Sequence, residues 1–194
     1  MRYEKNADGT NAMKSYTYTP DNLLATATFD GKTLANAWDA DKNRVGFTVN
    51  STNHTFVYDI SAGIPAVIQE DGIYYIREPA GELIARLDGP NMNHYHFDQL
   101  GSTRLLTNSA GAVTDEYSYD AYGGVLSHNR STGSVDQPYQ YVGQLGYYTH
   151  YQEPNFGLLQ LGVRFYGSEV GRFTQRDQVS NALEVATCTL LRDL

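Results

Sequence analysis

Few residues in this chain are spaced for chemistry. His94, His96 and Asp98 alternate along an expected strand, so all three could share one face and offer nitrogen and oxygen ligands to a divalent metal. Two imidazoles on a strand serve equally well as packing and hydrogen-bonding groups; on that reading no metal site is assigned. Ser102, Ser118 and Ser127 have no histidine and acid partners in motif context, which leaves nucleophilic catalysis without support. Gly123–Gly124 belongs to an expected hairpin turn, not to a strand-to-helix loop that would cradle phosphate. Cys188 is the only cysteine, which excludes an intrachain disulfide and a cysteine-ligated zinc centre. No cofactor is expected. Exposed tyrosines could stack on sugar rings, but each is read first as structural.

The elements that must position such residues are β-strands. Sixteen Tyr and 18 Gly supply strand and turn formers, and the best helix formers are thinly spread. The net charge of -8 disfavours nucleic acid as a partner, because a phosphate backbone needs clustered cations. The opening Met1 to Asn6 leads into polar sequence, without the apolar segment of a signal peptide and without a run long enough to span a membrane.

Aromatic residues recur about every twenty positions, at Tyr18, Trp38, Tyr58, Tyr75, Phe97, Tyr119 and Tyr141. Around several of them the local pattern is aromatic-x-aromatic-Asp followed by a turn residue, as in Tyr95-His96-Phe97-Asp98 to Gly101 and Tyr117-Ser118-Tyr119-Asp120 to Gly123. Both aromatics should share a strand face, with the Asp capping the turn and Gly supplying positive φ. Each unit therefore reads as a β-hairpin. A lone hairpin cannot bury an aromatic face in water, so the units must stack into a continuous curving sheet. Two turn-rich stretches, Leu87 to Asn93 and Asn129 to Ser134, read as loops, the second projecting from the wall. Near the end Leu183, Ala186, Leu190, Leu191 and Leu194 follow helical spacing behind Asn181 and Glu184, which predicts a short amphipathic helix.

From Tyr95 onward the chain resembles the RHS repeat-associated core domain of RHS or YD-repeat proteins. The resemblance is carried by five ordered motifs: His96 to Arg104, Tyr119-Asp120-Ala121-Tyr122-Gly123, Tyr141-Val142-Gly143-Gln144, Phe156 to Tyr166, and Gly171 to Asp177. The implied organisation is degenerate YD repeats over 1–94, the core over 95–177, and a tail, expected to be helical, over 178–194. The implied fold is all-β, with tandem hairpins forming a curved sheet or part of a hollow shell. Relatives include polymorphic toxins, insecticidal toxin-complex components and teneurins. The implied function is a structural shell or scaffold that encloses and delivers a toxin or meets a cell surface. Implied partners are further YD-repeat segments or a companion shell protein, with toxin cargo or a surface glycan beyond them. Self-association through open sheet edges is a further expectation. The implied location is secreted or cell-surface, and cytoplasmic before export. The tail is too short for a folded toxin domain, so the chain is expected to be a shell piece without cargo.

In related toxin-complex proteins, self-cleavage is attributed to two aspartates and a neighbouring arginine. Arg176-Asp177 matches the arginine and the first aspartate, and Asp193 is the one later aspartate. Peptide hydrolysis by carboxylates needs one group protonated and one ionised. Here Gln178 follows Asp177 where the family has Pro, and the downstream motif is absent, so the adopted reading is structural. An aspartate-dependent autoprotease and a glycan- or receptor-binding module are its alternatives.

Overall fold

The computed structural model describes residues 14–61 and 65–176. Asp177, Asp193 and the predicted C-terminal helix lie outside them. The described chain divides in space into a long strip and a plug that covers one of its faces.

The strip is an antiparallel meander in which each strand pairs with the next along the sequence. Its strands are β1 (Ser15–Tyr18), β2 (Leu24–Phe29), β3 (Lys32–Trp38), β4 (Arg44–Val49), β5 (Thr52–Asp59), β6 (Ala66–Glu70), β7 (Ile73–Arg77), β8 (Leu83–Asp88), β9 (Asn91–Phe97), β10 (Thr103–Asn108), β11 (Val113–Tyr119) and β12 (Val125–Arg130). The plug follows, with β13 (Tyr148–Thr149), β14 (Leu158–Leu161), β15 (Arg164–Gly167) and β16 (Arg172–Phe173) forming a second small sheet in sequence order.

Two kinds of turn build the strip. The β2–β3 and β4–β5 connections are tight, with Asp30-Gly31 and Asn50-Ser51 all at positive φ, which matches the twist of the strands they join. On the opposite edge a five-residue turn recurs. In it Asp98 N–H donates to the Ser102 carbonyl at 3.0 Å, Gly101 N–H donates back to Asp98, and the Asp98 carboxylate accepts from Leu100 and Ser102 N–H at 3.0 and 2.9 Å. Asp120 repeats this with Tyr122 and Gly124, both at 2.8 Å. Thr19, Asp39 and Glu78 open turns with the same backbone bonds. The Asp of the aromatic-Asp signature is thus a turn cap.

Most of these turns are preceded by a register shift, at Thr17/Tyr18, Ala37/Trp38, Ile76/Arg77 and Ser118/Tyr119, and a like shift at Val57/Tyr58 precedes the β5–β6 connection. Such bulges increase local twist and re-aim the residue beside them. The aromatic pairs do share a face: Tyr95 and Phe97 stack at 5.8 Å and 1°, and Tyr117 and Tyr119 at 6.2 Å and 3°. At the fourth repeat the pre-turn residue is Arg77, while Tyr75 lies two residues earlier in the core. Tyr141 belongs to the plug.

Both expected loops are shorter than the sequence suggests. Leu87 to Asn93 lies in β8 and β9 except for the turn at Gly89-Pro90, because alternating residues there find partners on both sides. Asn129 and Arg130 end β12, and the chain then folds back, with Ser131 N–H on the Thr114 carbonyl at 2.8 Å, instead of projecting. The 94/95 boundary is one of sequence likeness and falls inside β9.

One core joins strip and plug. Tyr16, Leu24, Phe29, Leu34, Phe47, Phe56, Tyr75, Leu83, Tyr95, Leu106 and Tyr117 from the strip meet Tyr139, Tyr148, Phe156, Leu158 and Phe165 from the plug. Each such side chain contributes roughly 1.5–3 kcal/mol by leaving water. The plug reaches both ends of the strip: Gln175 Nε2 donates to the Asn22 carbonyl at 2.8 Å, and the Tyr166 hydroxyl to the Tyr122 carbonyl at 3.0 Å. The strip therefore curls around its plug, and its inner face is filled.

Candidate functional site: the junction of strip and plug

Two sets of contacts carry the architecture, one repeated and one single. The repeated set stitches successive hairpins. Trp38 Nε1 donates to the Leu24 carbonyl at 2.9 Å, the Tyr58 hydroxyl to the Arg44 carbonyl at 3.1 Å, Arg77 Nε to the Val67 carbonyl at 2.9 Å and the Tyr119 hydroxyl to the Thr103 carbonyl at 2.9 Å. In each case the residue just before a turn reaches the start of the preceding strand, where the ladder has ended and a carbonyl needs a donor. Phe97 holds the same position without a polar tip. Tyr18 holds it in β1, where no earlier strand is described. At the far end Tyr141 lies against Gly123, whose φ is +90° and whose place could not take a Cβ, since the Tyr141 ring would stand 2.4 Å from it. The Tyr141 hydroxyl donates to the Ala121 carbonyl at 3.3 Å.

The single set lies in the interior. Arg44, 1% exposed, has its guanidinium 4.7–4.8 Å from the ring centres of Phe47, Phe56 and Tyr148, an arrangement in which ring faces stabilise a cation withdrawn from water. Its Nη1 donates to His150 Nε2 at 2.5 Å, and His150 Nδ1 faces the Leu158 carbonyl at 3.2 Å. Arginine has no lone pair to give, so Nε2 must accept, Nδ1 carries the proton, and the ring is neutral. Burial, and then the Arg44 charge, hold the His150 pKa well below its ordinary value.

Glu70, fully buried at the end of β6, accepts from the Tyr148 hydroxyl at 2.6 Å, Gln152 Nε2 at 2.6 Å and the Tyr75 hydroxyl at 2.8 Å. Burial raises its pKa, and the tyrosine bonds oppose that rise. Farther along, Asp115 accepts from His128, Ser134 and the Val135 N–H at 2.8, 2.6 and 3.3 Å. The histidine and the serine meet the same carboxylate separately, so this group bridges β11, β12 and the plug and is no nucleophilic relay.

Arg176, the last described residue, is exposed. Asp177 and Asp193 lie outside the described residues. His96 Nε2 pairs with Thr107 Oγ1 at 2.9 Å and Asp98 caps its turn. Among the described residues no group of three His, Cys, Asp or Glu side chains could hold a metal ion, and no helix is long and apolar enough to cross a membrane. Sequence reading missed Arg44, Glu70 and His150, which belong to no motif. A charged residue in an otherwise apolar strand position was the available signal.

A strip of stitched hairpins wrapped on an internal plug defines a YD-repeat shell segment. The chain belongs to the teneurin YD-shell family, whose model matches residues 68–190. No curated protein matches. Among solved structures, the crystal structure of TcdB2-TccC3 without its hypervariable C-terminal region is similar at a TM-score of 0.61 and 15% identity, over 85% of this chain and 9% of that one. TcdB2-TccC3 itself gives 0.61 and 16%, over 90% and 10%. A mutant of the Photorhabdus luminescens Tc holotoxin pore gives 0.63 and 14%, over 91% and 9%. These likenesses concern the fold, and the chain spans about a tenth of the length of the structures it matches.

Proposed function

We propose that this chain is a wall segment with its closing plug, part of a shell that encloses a toxin in a secreted or surface complex. On this reading 1–94 act as repeats and 95–177 as the core. The observation that carries it is the stitch. Trp38, Tyr58, Arg77 and Tyr119 each bond the preceding strand, and Tyr18 presents the same side chain at β1 with nothing described before it. A preceding hairpin of the same kind is the partner that fits. The Tc holotoxin likeness supports enclosure as the purpose.

An open β1 edge recruits strands. Light scattering during size exclusion should show concentration-dependent association of the isolated chain, abolished by Tyr18→Pro, which removes a donor that points away from β2, since Thr19 and hence Thr17 face β2. A monomer at every concentration, or association that Tyr18→Pro leaves intact, would count against β1 as the joining edge.

A further inference from the structure

The repeats obey a rule that is broken twice, in the second and the fourth. The residue before the turn is Tyr18, Trp38, Tyr58, Phe97 or Tyr119, but Arg77 in the fourth repeat. The residue opening the strand after the turn is Leu24, Ala66, Leu83, Thr103 or Val125, but Arg44 in the second. Departures from a local rule that holds elsewhere tend to mark functional places. Both arginines border the same cleft, of about 210 Å³, between the strip and the plug. Tyr58, Tyr139, Gln144 and Gln160 also line it.

The charges in this cleft are only partly offset, by Glu70 acting on Arg44 from a distance. Among the described residues neither arginine has an ion pair, and Glu70 is held by Tyr75, Tyr148 and Gln152. The one acid on the wall, Glu82, is exposed at the rim. Arg77 donates Nε to Val67 and Nη1 to the Gly81 carbonyl at 3.0 Å, which fixes its guanidinium 5.2 Å from the centre of the Tyr139 ring. Arg44 Nε and Gln160 Oε1, a donor and an acceptor in the walls, are buried without partners. Two cations in a recess of a protein with net charge -8 favour an anion, and planar guanidinium forks suit a carboxylate. A space of about 150 Å³ takes a benzene ring, so this one holds an acid of side-chain size.

We propose that the cleft between strip and plug binds a carboxylate, with Arg77 and Arg44 facing its oxygens and the tyrosines packing against its apolar part. The inference does not depend on what the shell encloses.

Calorimetric titration at constant ionic strength tests it, with glutarate and a blocked Gly-Glu-Gly peptide as probes and Gly-Gln-Gly as the control. Saturable binding in roughly the millimolar range is expected. Arg77→Gln should weaken it at least tenfold, and Arg104→Gln, outside the cleft, should not. If Arg77→Gln fails to fold, Gln144→Glu carries the test, since it adds a repelling charge and keeps the Arg77 bonds. Binding of glutarate alone assigns a free acid; binding of the Glu peptide but not its Gln counterpart assigns an acidic segment. Absence of saturable binding by the unaltered chain, or binding that Arg77→Gln or Gln144→Glu leaves unchanged, overturns the proposal.

Discussion

The strip and the plug solve the same problem, burial of polar backbone and aromatic surface, in opposite ways. Along the strip most hairpins repeat one turn cap and one stitch, so a lost contact has copies elsewhere in the wall. The plug has no period. Besides the shared core and several single hydrogen bonds, it is held by Arg44, Glu70 and His150, each present once and each buried. Repetition distributes stability, whereas a single docked element concentrates it in few side chains.

Substitutions that break the plug side of this comparison should have the largest effect. Arg44→Ala removes a cation lodged among three rings, leaves His150 Nε2 without a donor and opens a cavity. A loss of about 3–5 kcal/mol is expected in urea unfolding. A loss below about 1 kcal/mol would mean that the plug is not anchored there.

Acid should sharpen the contrast next. The unfolded chain protonates His150 near its ordinary pKa, and the folded chain resists, so the full contribution is present above about pH 6.5 and falls below it, by up to about 1.4 kcal/mol per pH unit. Glu70 works the other way: its raised folded pKa means that the folded chain takes up a proton first, which favours folding as pH falls toward its unfolded value. Between pH 7 and 5, His150→Gln should flatten the dependence of the melting temperature on pH, since Gln keeps an acceptor but does not titrate. An unchanged profile would place the pH sensitivity elsewhere.

The smallest effect is expected at Asp177. If Arg176, Asp177 and Asp193 form no cleaving pair, intact mass stays constant for both the unaltered chain and Asp177→Asn. A C-terminal peptide lost with time from the first and retained by the second would make the chain an enzyme acting on itself.

The strip was legible in sequence because its signals are local and repeated. The aromatic-Asp pairs, their glycines and the twenty-residue period all arise from one hairpin geometry, and copying makes each copy easier to see. Tyr75 misled because it lies near the expected spacing, while the equivalent position is held by Arg77, an unlike residue making a like bond. The plug was less readable. Glu70 and Tyr148 lie 78 residues apart in the chain, and Arg44 and His150 are 106 apart, distances over which no periodic pattern links them. The loop reading of Leu87 to Asn93 erred for a related reason: turn-rich composition was outweighed by pairing on both sides.

Native-state hydrogen exchange on two matched hydroxyl deletions, Tyr148→Phe and Tyr58→Phe, tests the division of labour most directly. Tyr148→Phe removes a 2.6 Å bond from a buried carboxylate, and Tyr58→Phe removes one 3.1 Å stitch among several. The account predicts that Tyr148→Phe speeds exchange throughout β13, β14 and β15 together with β4 to β7, at a cost of about 1–3 kcal/mol. Tyr58→Phe should cost about 1 kcal/mol or less and affect only β4 and β5. Equal and equally local effects of the two substitutions would contradict it, because the plug would then be no more singly held than any hairpin of the wall.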